Sequence, residues 1–164
     1  MSIAQTFAPE FTQEMTTTRR LLERVPSDKG AWKPHPKSFS LGHLAQLVAR
    51  MPGWITNIVS ETKLDLSAAQ GYSLEKTDVL LDEFDRNVKE ASAAMARTSD
   101  ADFQVHWSLA MGDRVLFSAP RVVVVRQTIN HLVHHRGQLT VYLRLVDVPL
   151  PSIYGPTADE GWGS

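Results

Sequence analysis

The 164-residue chain contains no cysteine, which excludes disulfide bonds, thiolate metal sites and cysteine nucleophiles. Any metal ion must therefore be held by nitrogen and oxygen ligands. The formal net charge of -1 leaves no basic surplus for phosphate backbones, so nucleic-acid binding is not favoured. No apolar run is long enough to span a bilayer, and a membrane protein is not expected. Residues 1–7 lack the charged and apolar blocks of a signal peptide, so the expected location is the cytoplasm.

The composition is that of an ordinary globular protein, with 43% hydrophobic and 21% charged residues. The length is sufficient to bury one sizeable core. We therefore expect a single domain over residues 1–164.

Four segments carry apolar residues at helical spacing, and they predict helices over residues 8–24, 40–60, 73–98 and 120–146. In the first segment Pro9 fits a first-turn position, and Glu14 is expected on the solvent side. Ser40 is a plausible N-cap of the second helix. Pro52 falls inside that helix and is expected to kink or break it. Leu74 is assigned to the apolar stripe of the third helix.

Two short apolar runs, residues 105–109 and 114–117, flank Gly112 and predict a small hairpin between the third and fourth helices. The polar stretch 61–71 predicts a long crossover between the second and third helices. The predicted fold class is therefore all-α, a four-helix bundle with a long crossover and a small inserted hairpin, rather than an α/β fold.

Three of the six histidines lie within five residues of the last predicted helix. At about 100° per residue, His135 lies about 40° around this helix from His131. Gln138 and Tyr142 lie within about 20° of His131, so these four residues form a polar vein beside the apolar stripe. The arginines near the opposite side are Arg126, Arg136 and Arg144. We expect Arg136 to be a surface or dimer-interface charge.

Two histidines four residues apart on a helix can bring their ring nitrogens to one ion at about 2.0–2.1 Å. His43 is expected near the inward face of the second helix and is the best candidate for a third ligand, with water completing an open site. On geometry alone, the pair His131 and His134 competes with the pair His131 and His135. A hydrogen-bonded histidine cluster without metal is a further alternative. His35 and His106 are expected to be exposed or structural.

Two motifs of the predicted second and fourth helices are informative together: Leu41-Gly42-His43-Leu44 and Asn130-His131-Leu132-Val133-His134-His135-Arg136-Gly137-Gln138-Leu139. On these motifs the chain resembles, over nearly its whole length, the DinB-like superfamily (damage-inducible, YfiT-like) of bacterial four-helix-bundle proteins. The resemblance implies that His43, His131 and His135 bind a divalent metal, because the histidine directly before Arg-Gly-Gln is the last ligand in the family. It leaves His134 as a neighbour, and it implies a homodimer and a pocket over the metal.

A site of three histidines suits zinc, nickel, iron or manganese. Related members of the superfamily are thiol-dependent transferases and isomerases, so the resemblance favours an S-transferase that joins a low-molecular-weight thiol, such as bacillithiol or mycothiol, to a small electrophile. A non-catalytic stress-response binding module and a metal-dependent hydrolase are the alternatives. Gln138 and Tyr142 are candidates for contacting the substrate or supporting the ligands.

Overall fold

The apolar periodicity of the sequence corresponds to four long helices in the structure, a computed structural model that describes residues 1–68, 71–73 and 76–161. The long helices are α1 (Ile3–Leu22), α2 (Leu41–Ser60), α3 (Thr77–Arg97) and α5 (Arg121–Leu145), and α4 (Asp100–Phe103) is a single turn. Three strands complete the set: β1 (Lys63–Asp65), β2 (His106–Met111) and β3 (Arg114–Pro120).

The long helices enclose one apolar core. Both α1 and α2 pack against α3 and α5, so the four helices surround a shared interior. Its most deeply buried side chains include Phe11, Leu44, Phe84 and Leu139, none of which is more than 1% exposed. Burial of these side chains supplies the main driving force for the packing of the helices.

The strands form a small sheet in the order β1-β2-β3. β2 and β3 pair antiparallel as the predicted hairpin, and Gly112 at their turn has φ +58°. β1 lies in the crossover and pairs parallel with β2, placing Lys63 opposite Ser108. The chain is therefore mostly helical, but the all-α prediction omitted β1, since three residues are too few to show an alternating pattern.

Two helices begin at residues other than those predicted. α1 begins at Ile3, because Ser2 and Gln5 form a capping box, and Pro9 consequently lies inside the helix rather than in its first turn. α3 begins at Thr77, since Ser73 instead uses its backbone N–H to bond the Gln46 side chain at 2.7 Å. The predicted stripe residue Leu74 lies outside the described residues.

Helix α2 continues through Pro52, so of the predicted kink or break the break does not occur. One turn of the helix is supported from outside, because the Asn87 side-chain amide on α3 donates to the Ala49 carbonyl at 3.0 Å. Gly53 makes room for this contact, as a Cβ atom there would lie 3.1 Å from Asn87 Oδ1. The proline removes the helical partner of the Val48 carbonyl, and the Asn87 hydrogen bond holds α2 against α3 at the next residue.

The predictions of Arg136 as a surface or dimer-interface charge and of Glu14 as a solvent-side residue are both wrong, because both side chains are buried within the chain. Arg136 is 1% exposed and pairs with the Glu14 carboxylate at 2.6 Å. Its guanidinium also donates to the Tyr154 hydroxyl at 2.8 Å. The C-terminal tail and α1 cover this side of α5, which makes it an interior polar face.

Within the part of the chain that the structure describes, no helix combines the length and apolarity needed to cross a membrane.

Candidate metal centre

Helix α5 brings two of the three predicted ligands together. The Nε2 atoms of His131 and His135, one helical turn apart, are separated by 2.9 Å, and their ring centres by 4.7 Å. The spacing of four residues produces this convergence, because it returns the chain to nearly the same side of the helix.

Gln138 orients the His135 ring from the next turn. Gln138 Oε1 lies 2.7 Å from His135 Nδ1, and an amide oxygen only accepts hydrogen bonds, so Nδ1 carries the proton. His135 Nε2 then presents its lone pair, and His131 Nε2–H donates to it across the 2.9 Å contact. In this arrangement the two rings form a hydrogen-bonded pair of neutral imidazoles.

The environment favours the neutral form of both rings. Burial is the main cause that lowers the pKa of His131, and the neighbouring His135 and His134 lower it further. Burial also lowers the pKa of His135, while the Gln138 hydrogen bond partly opposes this shift. More than a third of the His131 surface is open to solvent, so the desolvation of its ring is partial. Neutral imidazole is the form that binds metal ions.

His43, the third predicted ligand, is half-buried in an aromatic stack. Its ring lies between those of Phe39, at 4.2 Å, and Tyr72, at 4.1 Å, with the planes within 21° of parallel. Burial lowers the pKa of His43, and the positive charge of Lys33 lowers it further. Phe39 links this stack to the histidine pair, because its ring centre is also 6.4 Å from that of His135.

The arrangement fits a metal site in part. Two imidazole nitrogens bound tetrahedrally at about 2.0–2.1 Å lie about 3.3 Å apart, so His131 and His135 need only a small outward movement. Among residues 1–68, 71–73 and 76–161, however, no three His, Asp or Glu side chains are grouped so that they could hold an ion together. Ligation by His43 would require its ring to leave the stack.

The remaining histidines occupy other positions. The exposed His134 ring packs edge-on against that of His135 at 5.0 Å, whereas the Nε2 contact joins His131 to His135. His35 and His106 are exposed, as predicted, and each takes part in a local hydrogen bond. The Nε2 contact therefore favours the pair His131 and His135 over the pair His131 and His134.

The two further candidates have different surroundings. Gln138 contacts His135 directly and belongs to the centre. Tyr142 is half-buried and packs edge-on against Trp32, with ring centres 5.7 Å apart. Tyr142 lies one helical turn beyond Gln138, and its ring thus contacts the loop that precedes α2.

Several aromatic residues around the centre were not assigned to it from the sequence. Phe39 directly precedes the N-cap Ser40, and its position four residues before His43 is the one local signal available. Tyr72 comes from the crossover, where the Arg50 guanidinium lies 5.2 Å from its ring centre. Trp54 of α2 lies 5.9 Å from the His131 ring. No local pattern in the sequence predicts these approaches between separate elements.

An apolar cavity of about 350 Å³ adjoins His131. α2, α5 and the small sheet contribute to its walls, and Trp54 lies at the end near the histidine pair. The site therefore places the ring nitrogens of the histidine pair, which can bind a metal ion, beside a largely apolar cavity.

A family model and one known protein match nearly the whole chain. A sequence model of the DinB family matches residues 1–162. The uncharacterized protein YrdA of Bacillus subtilis (strain 168) is 25% identical over 158 residues, which cover 94% of this chain and 89% of that protein.

Two solved structures share the fold. A DinB-like protein from Bacillus cereus ATCC 10987 superposes with a TM-score of 0.71 and 20% identity, covering 92% of this chain and 97% of the other. The DinB-like protein YjoA from Bacillus subtilis gives a TM-score of 0.70 and 18% identity, covering 89% of this chain and 96% of the other. Since the sequence match extends from the first residue to residue 162, the chain belongs to the DinB family.

Proposed function

We propose that this protein binds a divalent metal ion through His43, His131 and His135 and acts as a thiol-dependent S-transferase. The observation that carries the proposal is the convergence of the His131 and His135 Nε2 atoms at 2.9 Å, beside an apolar cavity. The expected ions are zinc, nickel, iron and manganese, all of which accept imidazole ligands.

His43 completes the proposed ligand set by a side-chain movement. The Phe39 ring stacks on that of His43, and its centre also lies 6.4 Å from that of His135, so one aromatic residue lies near both the third imidazole and the pair. Rotation of His43 out of the stack exchanges contacts with Phe39 and Tyr72 for a bond to the ion.

When bound, the ion would supply Lewis-acid chemistry by lowering the pKa of a thiol or water molecule. The protein groups have their own roles. Gln138 keeps the His135 lone pair directed at the centre, and the Trp54 ring lies beside that of His131. In the transfer, the thiol sulfur forms a bond to an electrophilic carbon, the leaving group departs with its electron pair, and the thiol proton passes to water.

Metal binding is tested by elemental analysis and thermal unfolding of the purified protein. We expect stoichiometric metal in the wild type and a higher melting temperature on adding metal. His43→Ala, His131→Ala and His135→Ala should each reduce both effects, while the matched control His134→Ala should retain them. Absence of bound metal and of any metal-induced stabilisation in the wild type would contradict the proposal. Loss of metal only in His134→Ala would overturn the ligand assignment.

The transferase activity is tested separately with the metal-loaded protein. Consumption of a low-molecular-weight thiol is followed with several electrophiles, and a chelator-treated sample serves as the control. We expect turnover that requires both metal and thiol. Metal binding without turnover would favour a non-catalytic binding module, whereas cleavage without thiol would favour a hydrolase. Sedimentation of the same samples tests the proposed homodimer.

A further inference from the structure

The cavity beside His131 has largely apolar walls. It is bounded by apolar side chains of α2, the crossover, the hairpin and α5, and three polar residues complete its lining. Its lining residues are Trp54, Ile58, Leu64, Leu66, Trp107, Leu109, Phe117, Val124, Gln127, Thr128 and His131. None of them carries a permanent charge.

Two of the polar groups in this lining already have partners within the protein. The Thr128 hydroxyl donates to the Val124 carbonyl at 2.9 Å, and the Trp107 indole N–H donates to Asn57 Oδ1 at 3.1 Å. The remaining polar groups of the lining belong to Gln127 and His131. A ligand inside the cavity would therefore meet hydrogen-bonding groups at few points and apolar surface elsewhere.

This lining discriminates between classes of ligand. A charged or polyhydroxylated molecule would lose its hydration without receiving enough hydrogen bonds in return. An uncharged apolar molecule would gain free energy by burying its surface against the same walls. The volume of about 350 Å³ is more than twice that of an apolar cavity of about 150 Å³ that takes up benzene. Two linked or fused rings therefore suit the space.

We propose that the cavity binds a small, uncharged, ring-containing apolar molecule, with His131 at the polar end of the bound ligand. If the protein is the S-transferase proposed above, this ligand is the electrophile, and the polar thiol approaches from outside the cavity. That assignment of roles rests on the proposed function, whereas the binding of an apolar ligand does not.

Binding is tested on metal-free protein with two dyes that share one ring skeleton. N-phenyl-1-naphthylamine is uncharged, and 1-anilinonaphthalene-8-sulfonate adds a sulfonate. We expect the uncharged dye to bind at least about tenfold more tightly, because the lining offers no charge to the sulfonate. We also expect energy transfer from tryptophan, since Trp54 and Trp107 line the cavity. Equal affinity for the two dyes would overturn the proposal.

Variants locate the bound dye. Leu66→Lys places a cation in the wall and should weaken the uncharged dye about tenfold while strengthening the sulfonated one. Leu109→Trp should fill the space and weaken both dyes. The control Val141→Lys changes a side chain on α5 that is 57% exposed and outside the lining, and it should bind like wild type.

Thermal unfolding of each variant checks that it is folded. Leu66→Lys and Leu109→Trp are independent changes, so if one variant misfolds the other still tests the site. Unchanged dye binding in a folded variant of either kind would place the dye elsewhere and overturn the proposal. Metal content measured on the same wild-type sample keeps the two proposals apart. Dye selectivity without metal binding would contradict only the metal centre, and metal binding without dye selectivity would contradict only the ligand class.

Discussion

At the scale of single residues, Gln138 determines which nitrogen of His135 faces the centre. The amide oxygen accepts the Nδ1 proton at 2.7 Å, which leaves the Nε2 lone pair directed at His131. Hydrogen bonds of this kind fix the tautomer and orientation of metal-ligating histidines. In the proposed metal centre, Gln138 is therefore the residue that positions His135.

Replacement of Gln138 tests this role. Gln138→Leu removes the acceptor and should weaken metal binding about 10- to 100-fold. Gln138→Glu retains an oxygen acceptor and should preserve most of the affinity. Competition with a chelator measures the affinity, with Gln13→Leu, the same substitution at an exposed position on α1, as the control. Equal affinity in Gln138→Leu and the wild type would show that the ring is oriented by its packing alone.

Arg136 and Glu14 form a buried ion pair. Arg136 donates to the Glu14 backbone carbonyl at 3.1 Å and to the Thr18 hydroxyl at 3.2 Å, and Tyr154 donates to the Glu14 carboxylate at 2.9 Å. Burial and the Glu14 hydrogen bond raise the pKa of Tyr154, which keeps its hydroxyl protonated as a donor. Each partner thus satisfies groups that would otherwise be buried without hydrogen bonds.

Removal of one charge of this pair should destabilise the protein strongly. Arg136→Met leaves the Glu14 carboxylate buried without its cation, and the expected loss of unfolding free energy is about 3–5 kcal/mol. The double variant Arg136→Met with Glu14→Leu should lose less, because no charge remains to be desolvated. Urea denaturation measures both. A double variant less stable than the single one would contradict this account.

At the scale of elements, the hairpin depends on the backbone conformation of its turn. Gly112 has φ +58°, and its backbone N–H donates to Asp65 Oδ1 at 3.0 Å, which links the turn to β1. A Cβ atom at this position would meet no other atom within 4 Å. Glycine is therefore required here for its backbone conformation, and not because neighbouring atoms would crowd a side chain.

Gly112→Ala should consequently cost about 1–2 kcal/mol, the penalty of a left-handed conformation for a residue with a Cβ atom. Gly112→Asn should cost less, since asparagine tolerates this conformation. Chemical denaturation of the two variants gives the comparison. An alanine variant as stable as the wild type would indicate that the turn adopts another conformation without loss.

At the scale of the whole molecule, the C-terminal tail joins α1 to α5. Arg20 and Arg24 of α1 pair with Glu160, and Arg144 of α5 pairs with Asp159. The hydrogen bond from Arg144 is the largest cause that lowers the pKa of Asp159, followed by the backbone N–H of Leu150. Because the carboxyl is at the surface, its contribution is screened by solvent and salt.

The lowered pKa of Asp159 predicts that acid weakens the contacts of the C-terminal tail. A carboxyl whose folded pKa lies below its ordinary value stabilises the fold above that ordinary value and loses this effect as pH falls through the folded pKa. The melting temperature of the wild type should therefore decrease below about pH 4. Asp159→Asn should start lower at pH 6 and show a smaller decrease, as measured by thermal unfolding. Parallel decreases in both proteins would assign the acid sensitivity to other carboxyl groups.

The sequence by itself determined the features that depend on residues close together in the chain. Apolar periodicity located the four long helices, and Ser40 marked the start of α2. Gly112 marked the hairpin turn. A spacing of four residues predicted that His131 and His135 share one side of α5. The absence of cysteine limited any metal site to nitrogen and oxygen ligands.

Tertiary structure alone decided the features that join distant segments. The pairing of β1 with β2, the burial of Arg136 by α1 and the tail, and the stack of His43 between Phe39 and Tyr72 depend on contacts that leave no local pattern. The same holds for the apolar cavity, whose walls come from four separate segments. Helical angles give the direction of a side chain about its own axis, but only the packing of the other elements decides whether that direction leads to solvent, a charge or a ligand site.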